Sequence, residues 1–367
     1  MNRPLPSAPR PSLCLLLCLL LPAALACAGV APAARTPAGT ASRLSPPPPR
    51  PLLLELNGRW IGNGVAYGPH RDGQHPEGAS PTRAQLGEDL ALISRRWSLL
   101  RTYNASPTAE AILEVIRAGA LTIRVMLGCW IAPEEPPEQP AQAGAPPRPL
   151  PAAARNRAEV EGVIRLANAF PDVVASVIVG NETQISWSDH RVAPEVLIRW
   201  LREVRARTTA PVTTADDFGF WATEESLAVA GEVDYLDVHA YAMWAGQPLE
   251  QALAFTEEKL AAVAARHPGR PLVLGEFGWA TRRHTEGEQA KLIKGVPGEA
   301  EQAAFFRQAI AWTSKHRIAN LWFEVFDENW KGGSHPDEVE KHWGLYRADR
   351  TPKQAVQEAA SRSATAP

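Results

Sequence analysis

The chain has 367 residues, room for two average domains or for one (β/α)8 barrel of about 250 residues with additions. Its 45% hydrophobic and 21% charged residues can fill a core, which excludes disorder of the whole chain. Lys and Arg number 38 against 40 Asp and Glu, a net charge of −2, so nothing favours nucleic acid or a polybasic membrane contact.

Proline is the anomaly in the composition. Of 34 prolines, twelve fall in residues 1–51 and eight in 133–151, and the rest of the chain carries an ordinary share. Arg3 and Arg10 precede the apolar run Leu13 to Leu21, and Ala24-Leu25-Ala26 follows it. A positive start, a short apolar stretch and a small-residue site predict a secretory signal peptide over 1–26. The run is too short for a transmembrane span of about 20 residues, although an uncleaved anchor is the alternative. Cleavage after Ala26 makes Cys27 the first mature residue, a possible lipidation site, although Ala24 stands where such signals usually carry Leu. Residues 27–51 form a Pro/Ala-rich spacer. The expected location is therefore exported, periplasmic or extracellular, with a possible membrane tether through Cys27. In the body only Cys129 remains, so no internal disulfide is expected there and the core must hold the fold.

The remaining body, 52–367, alternates short apolar runs with amphipathic stretches. Strands are predicted at 60–67, 98–104, 121–129, 175–180, 211–216, 233–241, 271–277 and 319–326, most of them nearly continuous, as strands buried on both faces should be. Ser80-Pro81 and Ser106-Pro107 each place a capping hydroxyl before a first-turn proline. Ile112, Val115 and Ile116 then form an apolar stripe that ends at Gly119. Further helices fit 154–169, 194–208, 249–267, 299–316 and 352–362, with a weaker one at 218–230. Eight strands alternating with helices predict an α/β fold, a single (β/α)8 TIM barrel. A doubly wound open sheet is the runner-up, but no Gly-rich nucleotide turn follows the first strand. The Pro-rich insertion near 132–151 follows the third strand and so belongs on the catalytic face.

In such a barrel, chemistry sits at the carboxyl ends of the strands. Strand four ends Val179-Gly180-Asn181-Glu182 and strand seven ends Gly275-Glu276-Phe277-Gly278-Trp279. Two carboxylates about 5 Å apart suit retaining glycoside hydrolysis, one protonating the leaving sugar and the other attacking the anomeric carbon. Either glutamate alone could be a polar residue where a strand meets solvent; two together, flanked by Asn181 and Trp279, point to a site. All twelve tryptophans lie between 60 and 343, and Trp130, Trp187, Trp244, Trp279 and Trp330 fall at strand ends, where indole faces could stack on pyranose rings. About half of the tryptophans are expected to be structural. Tyr67 and Tyr241 also end strands, and either phenol could hydrogen-bond the nucleophilic carboxylate. Arg101 could do so with a full charge, favouring the ionised form. No metal site is predicted: His335 to His342, with Asp337, Glu338 and Glu340, lacks zinc-ligand spacing and reads as a solvated loop.

The body, roughly 58–350, resembles the bacterial branch of glycoside hydrolase family 17, the β-1,3-glucanase family. The resemblance rests on Ala66-Tyr67-Gly68-Pro69, Leu100-Arg101-Thr102-Tyr103, the two glutamate segments, Phe326-Asp327-Glu328-Asn329-Trp330-Lys331 and Trp343-Gly344-Leu345-Tyr346. It implies a (β/α)8 fold, retention of configuration and β-1,3-glucan as substrate. It further implies Glu182 as acid/base, Glu276 as nucleophile, and Glu328 and Lys331 as sugar ligands. Tyr67, Arg101, Tyr103, Trp130, Asn181, Tyr241, Trp279 and Trp330 complete the expected substrate-binding set. No metal, nucleotide or redox cofactor is needed. The sequence departs from the family at the sixth strand, where His239-Ala240-Tyr241-Ala242 stands in place of Asn-x-Tyr-Pro, and in the Pro-rich insertion. The leading expectation is a hydrolase of β-1,3-glucan acting through a covalent glycosyl intermediate. A transglycosylase with an acceptor groove built from Trp130, Trp244 or Trp330 is the first alternative, and a non-catalytic glucan-binding barrel the second.

Overall fold

A computed structural model describes residues 48–134 and 151–357 of the chain. The predicted signal peptide, most of the spacer with Cys27, nearly all of the Pro-rich insertion and the end of the last helix lie outside the described residues.

Eight parallel strands close into a barrel: β1 (Asn63–Ala66), β2 (Leu99–Arg101), β3 (Arg124–Cys129), β4 (Val174–Asn181), β5 (Val212–Asp217), β6 (Leu236–His239), β7 (Leu272–Phe277) and β8 (Ala319–Trp322). Closure runs through β8, whose Leu321 and Trp322 pair with Gly64 and Val65 of β1 while its Ala319 and Asn320 pair with Val273 and Leu274 of β7. Six of them lie inside the apolar runs predicted from the sequence, while β4 extends one residue beyond its run at each end and β5 one residue beyond at its carboxyl end. Residues such as Val65, Leu100, Val125, Val177, Val212, Val238 and Leu274 are wholly buried between barrel and helices, each contributing about 1.5–3 kcal/mol of burial.

The helices between them are α1 (Arg83–Ile93), α2 (Pro107–Ala118), α3 (Ala152–Ala169), α4 (Pro194–Arg207), the short α5 (Phe218–Trp221) and α6 (Ser226–Ala230), α7 (Leu249–Arg266), α8 (Gly287–Leu292) and α9 (Glu299–His316). Helix α2 starts and stops as predicted, with Ser106 as its cap and Pro107 in its first turn. Helix α1 starts later than the Ser80-Pro81 pair implies, because Thr82 and Gln85 form a reciprocal capping box. The weak helix at 218–230 divides into α5 and α6, the first capped by Asp217. No described helix is long and apolar enough to cross a membrane.

Trp60 leaves the predicted first strand. It pairs with Glu55 in a hairpin whose turn, Asn57-Gly58, has positive φ at both residues. Leu52, Leu56 and Trp60 pack against the barrel-interior cluster of Leu99, Met126, Ala175, Ile178, Ala215, Val273 and Leu321, plugging the amino-terminal mouth. The chain is already docked before that hairpin. The Arg50 amide donates to Asp234 (2.7 Å), its guanidinium donates to the Thr208 and Ala210 carbonyls (both 2.9 Å), and Arg205 donates to the Pro48 carbonyl (2.7 Å). With one end plugged, the open face lies at the carboxyl ends of the strands.

Candidate active site

Glu276 ends an apolar strand, and its carboxylate is almost fully buried, which by itself costs an anion several kcal/mol. Four neighbours offset that cost. The Tyr103 hydroxyl donates to Oε1 (2.9 Å), the Tyr241 hydroxyl donates to Oε2 (2.6 Å), and the Arg101 guanidinium lies 3.0 Å from Oε1. His239 Nε2 stands 3.6 Å from the same oxygen. Burial pushes the Glu276 pKa up, but the charges of His239 and Arg101 and the two phenols outweigh it, leaving the carboxyl below its ordinary value. The phenols move the other way: burial and then the charge of Glu276 raise both far above their usual range, so they remain donors.

Glu182 follows β4 by way of a register shift between Ile178 and Asn181, and its backbone turns left-handed at φ +50°. Its Oε1 meets His239 Nδ1 at 2.9 Å. His239 is thus buried between the two glutamates. Arg101, a permanent donor, aims its Nη1 at His239 Nε2 (2.9 Å), so whenever the ring is neutral its proton sits on Nδ1, toward Glu182. Burial lowers the His239 pKa and Arg101 lowers it further, yet Glu276 and Glu182 raise it more, for a net upward shift. Oxygens of Glu182 and Glu276 and a nitrogen of His239 all lie within 4.8 Å of one another. Among the described residues this is the one group with metal-ligand spacing, and the Arg101 guanidinium already supplies its positive charge.

Two glycines from the quoted motifs are fixed by other buried carboxylates, Asp237 and Glu328. A Cβ on Gly275 would sit 1.3 Å from Asp237 Oδ1, and one on Gly68 would sit 2.1 Å from Glu328 Oε2. Glu328 belongs to a second buried cluster beyond β8. Lys331 Nζ bonds Glu324 (2.7 and 2.8 Å) and lies 2.9 Å from Glu328, which also accepts from the Trp330 indole (3.0 Å). Burial raises the Glu324 pKa far above the usual range, more than Lys331 lowers it. At Glu328, burial is outweighed by Lys331, His70 and Trp330, and the pKa falls to about 2. The two carboxyls are thus pushed apart, Glu324 upward and Glu328 downward.

Of the expected set, Arg101, Tyr103, Asn181, Tyr241, Glu182 and Glu276 converge; Arg101 Nη2 donates to Asn181 Oδ1. Glu328 and Lys331 stand in the second cluster, and two further residues belong to neither group. Tyr67 turns outward beneath α1 and donates to Asp89 (3.0 Å), itself held by Arg71 and Arg350, so it is not the partner of the nucleophile. Trp279 is wholly buried, donates to the Val296 carbonyl (2.9 Å) and packs on Phe305, so it is core and not a sugar platform. Trp130 (39% exposed), Trp330 (41%) and Trp187 (62%) remain open at strand ends. Residues missed in the sequence include His239, Asp216, Asp237 and Glu324. For His239 a signal was present: it lies two residues before Tyr241, so a strand continuing through both puts them on one face. It also provides the polar contact that the altered Asn position had left open.

Removal of the Tyr241 hydroxyl offers a direct check on this electrostatic design. Without that donor the Glu276 anion is less stable, so its pKa rises. In Tyr241→Phe the acid limb of the kcat/KM profile should move to higher pH, with kcat/KM at the optimum falling about tenfold. An unmoved limb would show that the phenol does not stabilise the anion.

The chain matches the family model described as the BtgE/BtgC glycoside hydrolase domain over residues 64–344. It is 28% identical over 295 residues to a glucan 1,3-beta-glucosidase of Arthroderma benhamiae, covering 76% of this chain and 86% of that protein. Among solved structures it is similar to an endo-laminarinase from Formosa (TM-score 0.69, 24% identity, 83% of this chain and 88% of that one). It is also similar to an active-site mutant of the Rhizomucor miehei β-1,3-glucanosyltransferase in complex with laminaritriose (TM-score 0.62, 21% identity, 80% and 96%). The two structural likenesses bear on the fold, while the family model spans the barrel together with both glutamates and the Lys331 cluster. The chain therefore belongs to the BtgE/BtgC glycoside hydrolase domain family, in keeping with its family 17 resemblance.

Proposed function

We propose that the protein hydrolyses β-1,3-glucan with retention of configuration. The observation that carries the reading is the separation of the catalytic pair: oxygens of Glu182 and Glu276 lie within 4.8 Å, too close for an attacking water between them and suited to direct attack by a carboxylate. Glu276, ionised and held by Arg101 and two phenols, attacks the anomeric carbon. The bond to the glycosidic oxygen breaks, and that oxygen takes its proton from Glu182. Water then gives a proton to Glu182 and attacks the same carbon, releasing Glu276 and the sugar. The glucan linkage is supported by the names of the curated relatives, glucan 1,3-beta-glucosidase and probable glucan endo-1,3-beta-glucosidase.

One feature favours transfer to a second sugar as an alternative second step. Trp130 stacks on His190 at 5.0 Å, and His190 Nε2 bonds the Asn181 carbonyl (2.9 Å), so an open aromatic ledge adjoins Glu182. A leaving or incoming sugar must lie on that side of the acid/base. Incubation with a defined β-1,3-gluco-oligosaccharide, followed by mass spectrometry, separates the readings. Shorter products alone mark a hydrolase, and longer products beside them mark a transglycosylase. Unchanged oligosaccharide would remove the substrate assignment.

A further inference from the structure

We infer that Asp216 is the residue that holds the acid/base Glu182 in its working position; the inference rests on the reading of Glu182 given above. The segment after β4 is an awkward one. Gly180 has φ +81° and Glu182 φ +50°, and a left-handed conformation is strained for a non-glycine residue. Released, Glu182 has an energetic reason to relax, and its carboxyl would leave His239. What opposes this is the end of β5. The Ala215 carbonyl accepts from the Glu182 amide (2.8 Å). The Asp216 carboxylate accepts from the amides of Gln184 (2.8 Å to Oδ2) and Ile185 (3.2 Å to Oδ1), and from its own neighbour Asp217 (2.9 Å to Oδ1).

Asp216 is completely buried, and its partners here are backbone amides rather than a cation. A buried carboxylate so placed is costly, and a neutral side chain of similar size would fill the space more cheaply. The geometry gives the carboxyl a purpose: its two oxygens accept three N–H groups at once, and two of these, from Gln184 and Ile185, fasten the segment after Glu182 to β5. An asparagine keeps the shape but has one oxygen, so its amide nitrogen must face at least one backbone N–H. Asp216 touches neither sugar nor reacting atoms in this scheme; it is a positioning residue that acts through Glu182.

The test exploits leaving groups. An oligosaccharide needs a proton from Glu182 to depart, whereas dinitrophenolate departs without one. In the full chain, Asp216→Asn should lower the rate of glycosyl-enzyme formation from a β-1,3-gluco-oligosaccharide about 100-fold, within the range for loss of a general acid. The same step with a dinitrophenyl β-glucoside should change less than about threefold, and added azide should be captured as the β-glycosyl azide. Glu182→Ala is the reference and should show the same split more strongly. If Glu182→Ala shows no split, the assignment of the acid/base fails. If it does and Asp216→Asn slows both substrates equally or neither, the positioning role alone is overturned. Asp216→Glu keeps both acceptor oxygens and provides the second measurement should the asparagine variant not fold: it should give the same split, smaller in size, and equal slowing of both substrates would count against the role.

Discussion

Glu276→Gln should lose turnover of β-1,3-gluco-oligosaccharides by about 10⁴-fold or more while still binding them. The expectation follows from what the substitution keeps. The glutamine amide has the same shape, its oxygen can still accept from Tyr103 or Tyr241, and the glycosidic bond still meets Glu182. What is lost is the anion that forms the bond to the anomeric carbon, and nothing else in the site can take that part. Arg101 and His239 are cations or donors, and the phenols are held protonated by burial. The stereochemistry of rescue gives a sharper reading. In Glu276→Ala, azide enters from the vacated side and should give the α-glycosyl azide, opposite to the product expected when Glu182 is removed. Turnover in Glu276→Gln comparable to wild type would falsify the nucleophile assignment; β-azide from Glu276→Ala would reverse the two roles.

The parts of this site that were legible in the sequence are those fixed by a strand end. Glu182 and Glu276 each close a buried apolar run, and barrel topology brings both to one face, Glu276 by the period-two alternation of β7 and Glu182 through the left-handed turn after β4. Arg101 and Tyr103 follow from the same alternation. Tyr67 departs from this pattern. It too closes an apolar run, but Asp89 on α1 captures its hydroxyl from outside the barrel, and no strand pattern reveals which helix lies across the strand. Trp279 fails for a related reason. An indole after a strand end stacks on a sugar or fills the space under a loop depending on neighbours far along the chain, here Phe305 and Val296. Glu324 was hidden because a carboxylate inside an apolar run carries no sign of the lysine that sits beside it, and Asp237 because nothing in the pattern marks a buried carboxylate whose oxygens have no hydrogen-bond partner among the described residues. The Asn57-Gly58 hairpin, by contrast, has a sequence signal that a longer strand through Trp60 obscured.

The Lys331 cluster makes the strongest prediction about stability. Lys331 is the cation between two glutamates with almost no solvent contact, at 2.7 Å from Glu324 and 2.9 Å from Glu328. Lys331→Met keeps the length of the stem but leaves the Glu328 anion buried without its cation, a change of the kind that costs about 3–5 kcal/mol. The pH dependence has a definite sign. In wild type the Glu328 pKa is depressed to about 2, so its ionised form stabilises the fold above the unfolded glutamate range, and that contribution is lost as pH falls toward 2. In Lys331→Met the shift reverses: burial without the lysine raises the carboxyl above its unfolded value, and stability is lost as pH rises. The difference in Tm between wild type and variant should therefore be widest near neutral pH and should narrow at about pH 4, where an unpaired carboxyl can take up a proton. A Tm difference that stays constant from pH 7 to pH 4 would mean that Lys331 stabilises the fold through its ammonium over the Phe323 and Trp330 rings, 4.6 and 5.8 Å from their centroids, rather than through its pairing with Glu328.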